Sequence, residues 1–311
     1  MNAVFMGTPE FAVPCLEAML EQGHDIKAVV TQPDRPKGRG KQLAMPPVKQ
    51  AALKNGIEVL QPENVKSPEF VKKLRDIAPD VIVVVAFGQI LSKEILDIPR
   101  HGCINVHASL LPKYRGAAPI NWVIINGEKQ TGITTMLMDE GLDTGDMLIK
   151  ESIQIEESET ANELHDRLSS LGAAVLRTTL SRLEDGTLTR EKQNDSESSY
   201  APIMKKTLGE IDWGKSAKDI FNLVRGTSPW PGAFTTLDGM TMKVMKARCE
   251  AEADDEGRAG EILEVSKSGI RVKASEGVLA IEEIQMPGKK KMSIEEYLRG
   301  NSIQKGAVLG A

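Results

Sequence analysis

The sequence predicts an α/β protein with two domains: a mostly parallel sheet with its helices, followed by a smaller β-rich domain. Early in the chain, short apolar runs alternate with segments of helical periodicity, as in βαβ units. The run Val81–Val85 is apolar on both faces, as a central parallel strand should be. After residue 232, glycines separate a series of short β-rich segments. A length of 311 residues suits two domains.

The first βαβ unit is predicted from a strand at residues 3–6, a turn at residues 7–9 and helical periodicity from Phe11 onward. Pro9 is expected early in this helix, where its missing N–H is harmless. The first turn has one glycine and lacks the GxGxxG pattern, so dinucleotide binding loses its main sequence support. The next predicted elements are a strand at 26–31, a helix at about 48–55, a strand at 57–60, a helix at 68–76 and the strand Val81–Val85.

Residues 32–47 form a proline-rich basic segment with four prolines and two glycines. This composition excludes a helix or a strand throughout, and a loop of this length inside a domain is usually functional or disordered. One interpretation is a solvated basic loop. The other is a mobile arm that contacts phosphates, since cations beside glycines reach a backbone easily. Its cations, set against the single acid Asp34, are Arg35, Lys37, Arg39 and Lys41.

The second half of the chain begins with a capping box at Thr160 and Glu163, which marks a helix that should pack on the sheet. A polar stretch without apolar periodicity follows and indicates a linker. We therefore expect a first domain at residues 1–186, a linker at 187–204 and a second domain at 205–311. The second domain should contain a helix at 216–225 and β-rich segments at 233–236, 242–247, 260–265, 269–274 and 278–284, as in a small barrel or sandwich.

The composition describes an ordinary water-soluble protein. A formal net charge of −5 excludes a uniformly basic nucleic-acid binder, although local basic patches remain. The three cysteines have no zinc spacing, which favours a reducing compartment. No basic leader precedes the first strand, and no apolar run approaches the length of about 18 residues that a membrane span needs. The expected location is the cytoplasm, with no membrane association.

The candidate reaction centre is built from three polar side chains. Asn105 and His107 lie two positions apart on a predicted strand, so both side chains should point from one face. Asp143 lies in the turn Gly141-Leu142-Asp143-Thr144-Gly145, where the glycines should let the backbone bend and deliver the carboxylate. An amide, an imidazole and a carboxylate together suit acyl transfer.

Transfer of a one-carbon acyl group to an amine passes through a tetrahedral oxyanion, which requires donors aimed at the developing charge. Asn105 and a donating His107 suit this role, and Asp143 could orient His107 or accept the proton from the amine. Zinc held by His101, His107 and Asp143 is an alternative, but HExxH and cysteine pairs are absent from the sequence. The predicted chemistry therefore needs no metal.

Residues 105–116, reading NVHASLLPKYRG, together with Asp143-Thr144-Gly145, resemble the folate-dependent formyltransferases. The asparagine, histidine and aspartate of that family fall on Asn105, His107 and Asp143. These residues alone leave several members open: enzymes that formylate a purine precursor, enzymes that formylate nucleotide sugars, and formyltetrahydrofolate hydrolases.

Other stretches resemble the methionyl-tRNA formyltransferase branch of this family: residues 6–11 (MGTPEF), 31–36 (TQPDRP), 38–41 (GRGK) and 225–231 (RGTSPWP). This resemblance runs from end to end. It implies a Rossmann-like catalytic domain, a linker and an OB-like β-barrel domain that binds tRNA. It also implies 10-formyltetrahydrofolate as the formyl donor, initiator methionyl-tRNA as the acceptor, and a monomeric enzyme.

The resemblance also implies residue roles beyond the reaction centre. The folate site would be lined by Phe87, Gly88, Gln89, Ile90, Leu91, Ser109, Leu110, Leu111, Pro112, Met138, Asp139, Gly141 and Leu142. The tRNA would be bound by Arg35, Lys37, Arg39, Lys41, Lys205 and Lys206. A small-molecule formyltransferase would need neither the basic segment nor the second domain. An RNA-binding protein without catalysis would leave Asn105, His107 and Asp143 unexplained.

Overall fold

The computed structural model describes residues 1–37, 42–250 and 256–310. The helices are α1 (Val13–Glu21), α2 (Pro47–Lys54), α3 (Pro68–Ile77), α4 (Lys93–Leu96), α5 (Pro119–Ile125), α6 (Ala161–Glu184), α7 (Ala217–Gly226) and α8 (Ile294–Leu298). The strands of the first two thirds are β1 (Asn2–Gly7), β2 (Asp25–Val30), β3 (Arg35–Lys37), β4 (Gln42–Ala44), β5 (Val59–Leu60), β6 (Val81–Val85), β7 (Cys103–His107), β8 (Arg115–Gly116), β9 (Gln130–Leu137), β10 (Met147–Gln154) and β11 (Tyr200–Ala201). The last strands are β12 (Ala233–Leu237), β13 (Met240–Glu250), β14 (Ile262–Ser266), β15 (Gly269–Lys273), β16 (Val278–Gln285) and β17 (Met292–Ser293).

Two compact units divide the chain. The first contains residues 1–116, 131–153 and 165–201, and the second contains residues 117–130, 154–164 and 202–311. The chain therefore passes between the units several times. Over the described ranges, no helix combines the length and apolar character needed to cross a bilayer.

The first unit is organised around a seven-stranded sheet with the order β10-β9-β7-β6-β1-β2-β5. The pairs from β7 to β5 are parallel, and β9 joins β7 antiparallel. The central strand β6 is buried along its whole length, because apolar side chains occupy both of its faces. The predicted α/β class with a mostly parallel sheet is confirmed.

Several local predictions for this unit need correction. Pro9 precedes a short 3₁₀ turn rather than lying inside the first helix, and Pro14 instead occupies the first turn of α1. The basic segment was predicted as a loop, but β3 and β4 pair antiparallel within it. The short helices α4 and α5 were not predicted, since four and seven residues are too few to show helical periodicity.

The second unit is organised around a six-stranded antiparallel sheet with the order β12-β13-β16-β15-β14, on which β17 pairs with β16. The five predicted β-rich segments all fall on these strands. Helix α7 buries Ile220 and Val224 in the same apolar core as the sheet. The β-rich second domain is thus confirmed, while its assignment to the OB type stays a prediction.

Arg225, in the motif RGTSPWP, is a buried cation of the second unit. It is 6% exposed, and its Nη1 donates to the carbonyl oxygens of Glu156 and Glu159, at 3.3 and 3.0 Å. Its Nη2 donates to Oδ1 of Asn222 at 2.9 Å. A buried cation needs such partners, because leaving it unsatisfied costs several kcal/mol, on the order of 3 to 5. This motif therefore has a structural role within its own unit.

Cys15 and Cys103 are buried in the first unit, and burial raises the pKa of each thiol to about 12. A thiol whose pKa lies this high carries little thiolate at neutral pH, and the thiolate is the reactive form. We expect both cysteines to resist iodoacetamide in the native protein and to react once guanidinium unfolds it. Mass spectrometry of native and unfolded samples measures this, and rapid native labelling at Cys15 would contradict the described burial.

Candidate active site

Strand β7 carries the amide and imidazole of the candidate centre. Its neighbours are β6, where Val84 faces Asn105, and β9, where Thr134 faces His107. Asn105 and His107 are two positions apart, so the strand presents both side chains on one face. Because β6 and β7 run parallel, their carboxyl ends meet at one edge of the sheet, where open α/β sheets bind ligands.

His107 has a defined hydrogen-bonding arrangement. Its ring is 6% exposed, and Nε2 lies 2.9 Å from the carbonyl oxygen of Tyr114. A carbonyl oxygen only accepts hydrogen bonds, so Nε2 must carry the hydrogen and donate it. Nδ1 is then the nitrogen that gains or loses a proton. It lies 3.7 Å from Oδ2 of Asp143, which is beyond hydrogen-bonding distance but close enough to stabilise an imidazolium.

The carboxylate of Asp143 is held in place by a backbone group of another segment. The backbone N–H of Gly116 donates to its Oδ2 at 2.7 Å, and its side chain is 14% exposed. Asp143 has a φ of +53°, in the left-handed region that non-glycine residues adopt at a cost of order 1 kcal/mol. The carboxylate is therefore aimed at His107 by a strained residue that its surroundings must hold.

The two glycines of this turn do not provide the backbone bend that the sequence predicts. Neither Gly141 nor Gly145 has a positive φ, so the sharp bend is at Asp143 itself. A Cβ on Gly145 would lie 1.8 Å from the carbonyl oxygen of Leu137, and one on Gly141 would lie 1.9 Å from Oγ1 of Thr144. Glycine is required at position 145 because a side chain there would clash with backbone, whereas a side chain at position 141 would require the Thr144 side chain to move.

Asn105 presents a free polar atom. Its Oδ1 is buried and has no hydrogen-bond partner among the described residues. An unsatisfied buried acceptor costs roughly 1 to 3 kcal/mol, so the site gains when a bound molecule supplies a donor. This is the amide that sequence reasoning assigns to the reaction.

The loop after β7 contains the predicted folate residues Ser109, Leu110, Leu111 and Pro112, with a cis peptide bond before the proline. Thr134 Oγ1 donates to the carbonyl of Ser109 at 2.7 Å and accepts from the N–H of Leu111 at 3.1 Å. Lys150 Nζ donates to the carbonyl of Leu111 at 2.8 Å. The loop backbone is thus fixed by β9 and β10.

The other predicted folate residues differ in exposure. Phe87 and Leu91 are buried in the core of the first unit, whereas Ile90 is 70% exposed and Leu142 is 51% exposed. The Gln89 side chain accepts from the N–H of Val65 and donates to the carbonyl of Pro62. Gly88 has a φ of +88° that suits glycine. Met138 is partly buried against the core, and Asp139 Oδ1 accepts from the N–H of Gly141 and from Thr144 Oγ1.

The predicted tRNA-binding cations are only partly described. Arg35 is exposed on β3, and the backbone of Lys37 pairs with Gln42 of β4. Lys205 and Lys206 are exposed in the second unit. Arg39 and Lys41 lie outside the described residues.

The start of the basic segment is anchored by Asp34. Its carboxylate accepts from Lys49 Nζ at 2.8 Å and from Gln61 Nε2 at 2.8 Å. The hydrogen bond from Lys49 holds the pKa of Asp34 below its usual value. The single acid of this segment is therefore neutralised by a contact inside the first unit.

Across the described residues, no group of three or more His, Cys, Asp or Glu side chains is placed to hold a metal ion. His101, Asp143 and His107 do not form such a group.

Sequence reasoning missed the residues that hold the centre together. Tyr114 and Gly116 contribute backbone groups, which no side-chain pattern indicates. Thr134 and Lys150 lie on strands whose sequence resembles ordinary sheet. Gln193 donates through Nε2 to the carbonyl oxygens of Asp143 and Gly145, both at 2.8 Å, from within the predicted linker.

Comparison with known proteins identifies the family. Residues 1–180 match the family described as Formyl transferase, and residues 203–302 match Formyl transferase, C-terminal domain. The chain is 58% identical over 310 residues to the methionyl-tRNA formyltransferase of Clostridioides difficile, with 100% of both chains covered. The chain belongs to the methionyl-tRNA formyltransferase family. A second member, from Geobacter metallireducens, is 57% identical and covers 100% of this chain and 99% of its own.

Solved structures of related formyltransferases share the fold of this family. An N-formyltransferase from Helicobacter canadensis, in complex with folinic acid and dTDP-3-aminofucose, has a TM-score of 0.69 at 22% identity and covers 90% of this chain and 98% of its own. WlaRD, a sugar 3N-formyltransferase studied with dTDP and 5-N-formyl-THF, also has a TM-score of 0.69, at 20% identity, and covers 93% of this chain and 99% of its own.

Proposed function

We propose that this protein transfers the formyl group of 10-formyltetrahydrofolate to the amino group of methionyl initiator tRNA, for translation initiation. The observation that carries the proposal is identity of 58% over the full length to a methionyl-tRNA formyltransferase, combined with the placement of Asn105, His107 and Asp143. A folate donor is further supported by two neighbours of the same fold whose structures contain formylated folates.

The reaction forms one bond and breaks one. The amine nitrogen of the methionyl group bonds to the formyl carbon, the bond from that carbon to N10 of the folate breaks, and a proton passes from the amine to N10. Charge develops on the formyl oxygen in between. The amide of Asn105 suits this step because Nδ2 can donate to the oxyanion while the unpartnered Oδ1 accepts from the attacking amine.

His107 is the proton carrier in this proposal. Since Nε2–H is committed to the carbonyl of Tyr114, Nδ1 takes the proton from the amine and returns it to N10. The imidazolium formed in between faces Oδ2 of Asp143 at 3.7 Å, which stabilises the positive charge. Asp143 thus stabilises the charge on His107 rather than exchanging the proton itself, while the carbonyl of Tyr114 orients the ring.

The folate would bind along the carboxyl edge of the sheet. Gly88 would let a flat ring approach the backbone closely, and the loop 109–112 is held in a fixed conformation by Thr134. Exposed Ile90 and Leu142 supply apolar surface for the ring.

The two domains predicted from the sequence would divide the work on the tRNA. We infer that residues 1–186 catalyse, residues 187–204 link and residues 205–311 bind the tRNA backbone. The basic segment 32–47 would contact the acceptor end, because an exposed cation such as Arg35 interacts with phosphates. We also infer that the protein acts as a monomer in the cytoplasm.

The test supplies labelled 10-formyltetrahydrofolate together with charged initiator tRNA, charged elongator methionine tRNA, or small amines that include an amino sugar nucleotide. We expect formyl-methionyl initiator tRNA as the main product. Formylation of the amino sugar nucleotide without the tRNA would establish a small-molecule formyltransferase instead. Binding of tRNA with no transfer to any acceptor would establish an RNA-binding protein without catalysis.

Arg39→Ala is expected to weaken tRNA binding, since one phosphate contact is lost. The salt dependence of tRNA affinity should fall by an amount that corresponds to about one released counterion. Folate affinity should stay unchanged. The measurement is the affinity for initiator tRNA across a salt series. Arg75→Ala, which removes an exposed arginine of α3 that pairs with Glu94, is the matched control. An equal loss of folate and tRNA binding in Arg39→Ala would contradict a specific role in tRNA recognition.

A further inference from the structure

The polar segment 191–201 packs against the candidate centre within the first unit. Most of its residues are exposed, but Gln193 is half-buried and Ala201 is fully buried. Its β11 pairs with β8, so that Ala201 faces Gly116. A segment with so few apolar side chains gains its order from hydrogen bonds, and those bonds lead to the residues that hold His107 and Asp143.

Gln193 uses both ends of its amide. Nε2 donates to the carbonyl oxygens of Asp143 and Gly145, each at 2.8 Å. Oε1 accepts from Arg115 Nε at 3.0 Å and from Nη2 at 2.8 Å. This glutamine therefore joins the loop of Asp143 to the side chain of Arg115, and its donors and acceptor are all occupied.

The segment 114–116 completes the connection from the other side. The carbonyl of Tyr114 accepts from His107, and the N–H of Gly116 donates to Asp143. Ser199 fixes this segment, because its Oγ accepts from the N–H of Tyr114 and its carbonyl from the N–H of Arg115, both at 2.9 Å. Arg115 lies between the two residues that touch the centre.

The contacts form a closed ring: His107, Tyr114, Arg115, Gln193, Asp143 and back to His107. Such contacts stabilise the conformation of Asp143, because its φ of +53° lies in the left-handed region, which aspartate adopts more readily than most residues but less readily than glycine. Removing the two bonds from Gln193 would let the loop relax toward an ordinary conformation. The carboxylate would then move relative to Nδ1 of His107.

We propose that Gln193, held by Arg115, is a positioning residue that fixes the carboxylate of Asp143 opposite His107 for formyl transfer. Within the polar segment assigned as a linker, Gln193 is thus the residue that supports the reaction centre. The proposal rests on the proposed function and adds a residue that does not touch either substrate.

The test begins with Gln193→Leu, which keeps an uncharged side chain of similar bulk, one atom shorter, and removes all four hydrogen bonds. We expect kcat to fall about tenfold to a hundredfold, because displacing a catalytic group by about 1 Å costs on this order. The KM values for folate and tRNA should change less than about twofold, since the polar atoms of the Gln193 side chain are all occupied by contacts within the protein. Lys192→Ala, at the exposed neighbouring position, is the matched control and should behave as wild type.

Gln193→Glu distinguishes a role in holding the Asp143 loop from a role in holding Arg115 alone. It retains an oxygen for Arg115 but directs an acceptor at the carbonyls of Asp143 and Gly145. We expect Glu to be as impaired as Leu. Full activity in Gln193→Glu would overturn the proposal, because the bonds to the Asp143 loop would then be dispensable.

A double-mutant cycle with Asp143→Ala gives the decisive readout. If Gln193 acts through Asp143, adding Gln193→Leu to Asp143→Ala should lower the single-turnover rate by less than about twofold. A further tenfold loss, or wild-type kcat in Gln193→Leu alone, would overturn the positioning role. If the wild-type protein formylated no methionyl-tRNA, the proposed function itself would be overturned. If the wild-type protein is active and only the Gln193 results differ from expectation, the positioning role alone is overturned.

Discussion

Replacing His107 by alanine is expected to lower kcat by about a hundredfold to ten thousandfold, the usual contribution of a positioned acid-base group. The reason is that Nδ1 is the ring nitrogen free to carry the amine proton, while Nε2–H is bound to the carbonyl of Tyr114. Folate and tRNA affinities should remain near wild type. The measurement is the rate of label transfer from 10-formyltetrahydrofolate to charged initiator tRNA with both substrates saturating.

His101→Ala is the control for this experiment. His101 precedes β7 at the end opposite His107, and its Nε2 contacts Arg100 on the surface. Its loss should leave kcat unchanged. A His107→Ala enzyme that retains the wild-type rate would refute the assignment of proton transfer to this residue.

Replacing Asn105 by alanine is expected to lower kcat by about a hundredfold to a thousandfold, the effect of removing one oxyanion donor. Asn105→Asp should be at least as impaired, because it has the same shape but places negative charge where the oxyanion forms. Both variants are compared with wild type in the same transfer assay, with folding checked by thermal melting.

Asn2→Ala is the matched control, since it removes an exposed asparagine from β1 of the same sheet. Near-normal turnover in Asn105→Asp would show that the amide does not stabilise the oxyanion. A lowered melting temperature together with weaker folate binding in Asn105→Ala would instead indicate a packing role for this partly buried side chain.

The parallel strands of the sheet and the two central side chains could be predicted because their signals are local, whereas β9 and β10 were not predicted. The apolar side chains of Val81–Val85 alone predict a central strand, and β6 has these bounds. Asn105 and His107 fall on one face of β7 because the side chains of a strand alternate, which needs no tertiary information. The strands β12 to β16 of the second unit were predicted from apolar segments between glycines, and the two-residue β17 was not.

The contacts that hold the centre could not be predicted because they are not local. Gln193 and Asp143 are 50 residues apart, and one glutamine in a polar stretch gives no periodic signal. Every residue has a backbone carbonyl, and every residue except proline has a backbone N–H. The sequence therefore cannot single out the carbonyl of Tyr114 or the N–H of Gly116. The conformation of Asp143 was equally hidden, since sequence suggests glycine for a positive φ.

The proline-rich basic segment shows how far amino-acid composition alone can predict local structure. Its prolines and glycines correctly exclude a single regular element, yet β3 and β4 pair within it. Two strands of three residues are too short for an alternating pattern to be read from sequence. The sequence likewise did not indicate that the Asp34 carboxylate would accept hydrogen bonds from Lys49 and Gln61.

The most direct test of the reaction centre is the single-turnover rate of formyl transfer in Asn105→Ala, His107→Ala and the double variant, with 10-formyltetrahydrofolate and charged initiator tRNA bound beforehand. Residues that act as one unit are strongly non-additive. We therefore expect the double variant to be slower than the worse single variant by less than about tenfold. Single variants that transfer formyl at the wild-type rate would contradict a centre built on these two side chains.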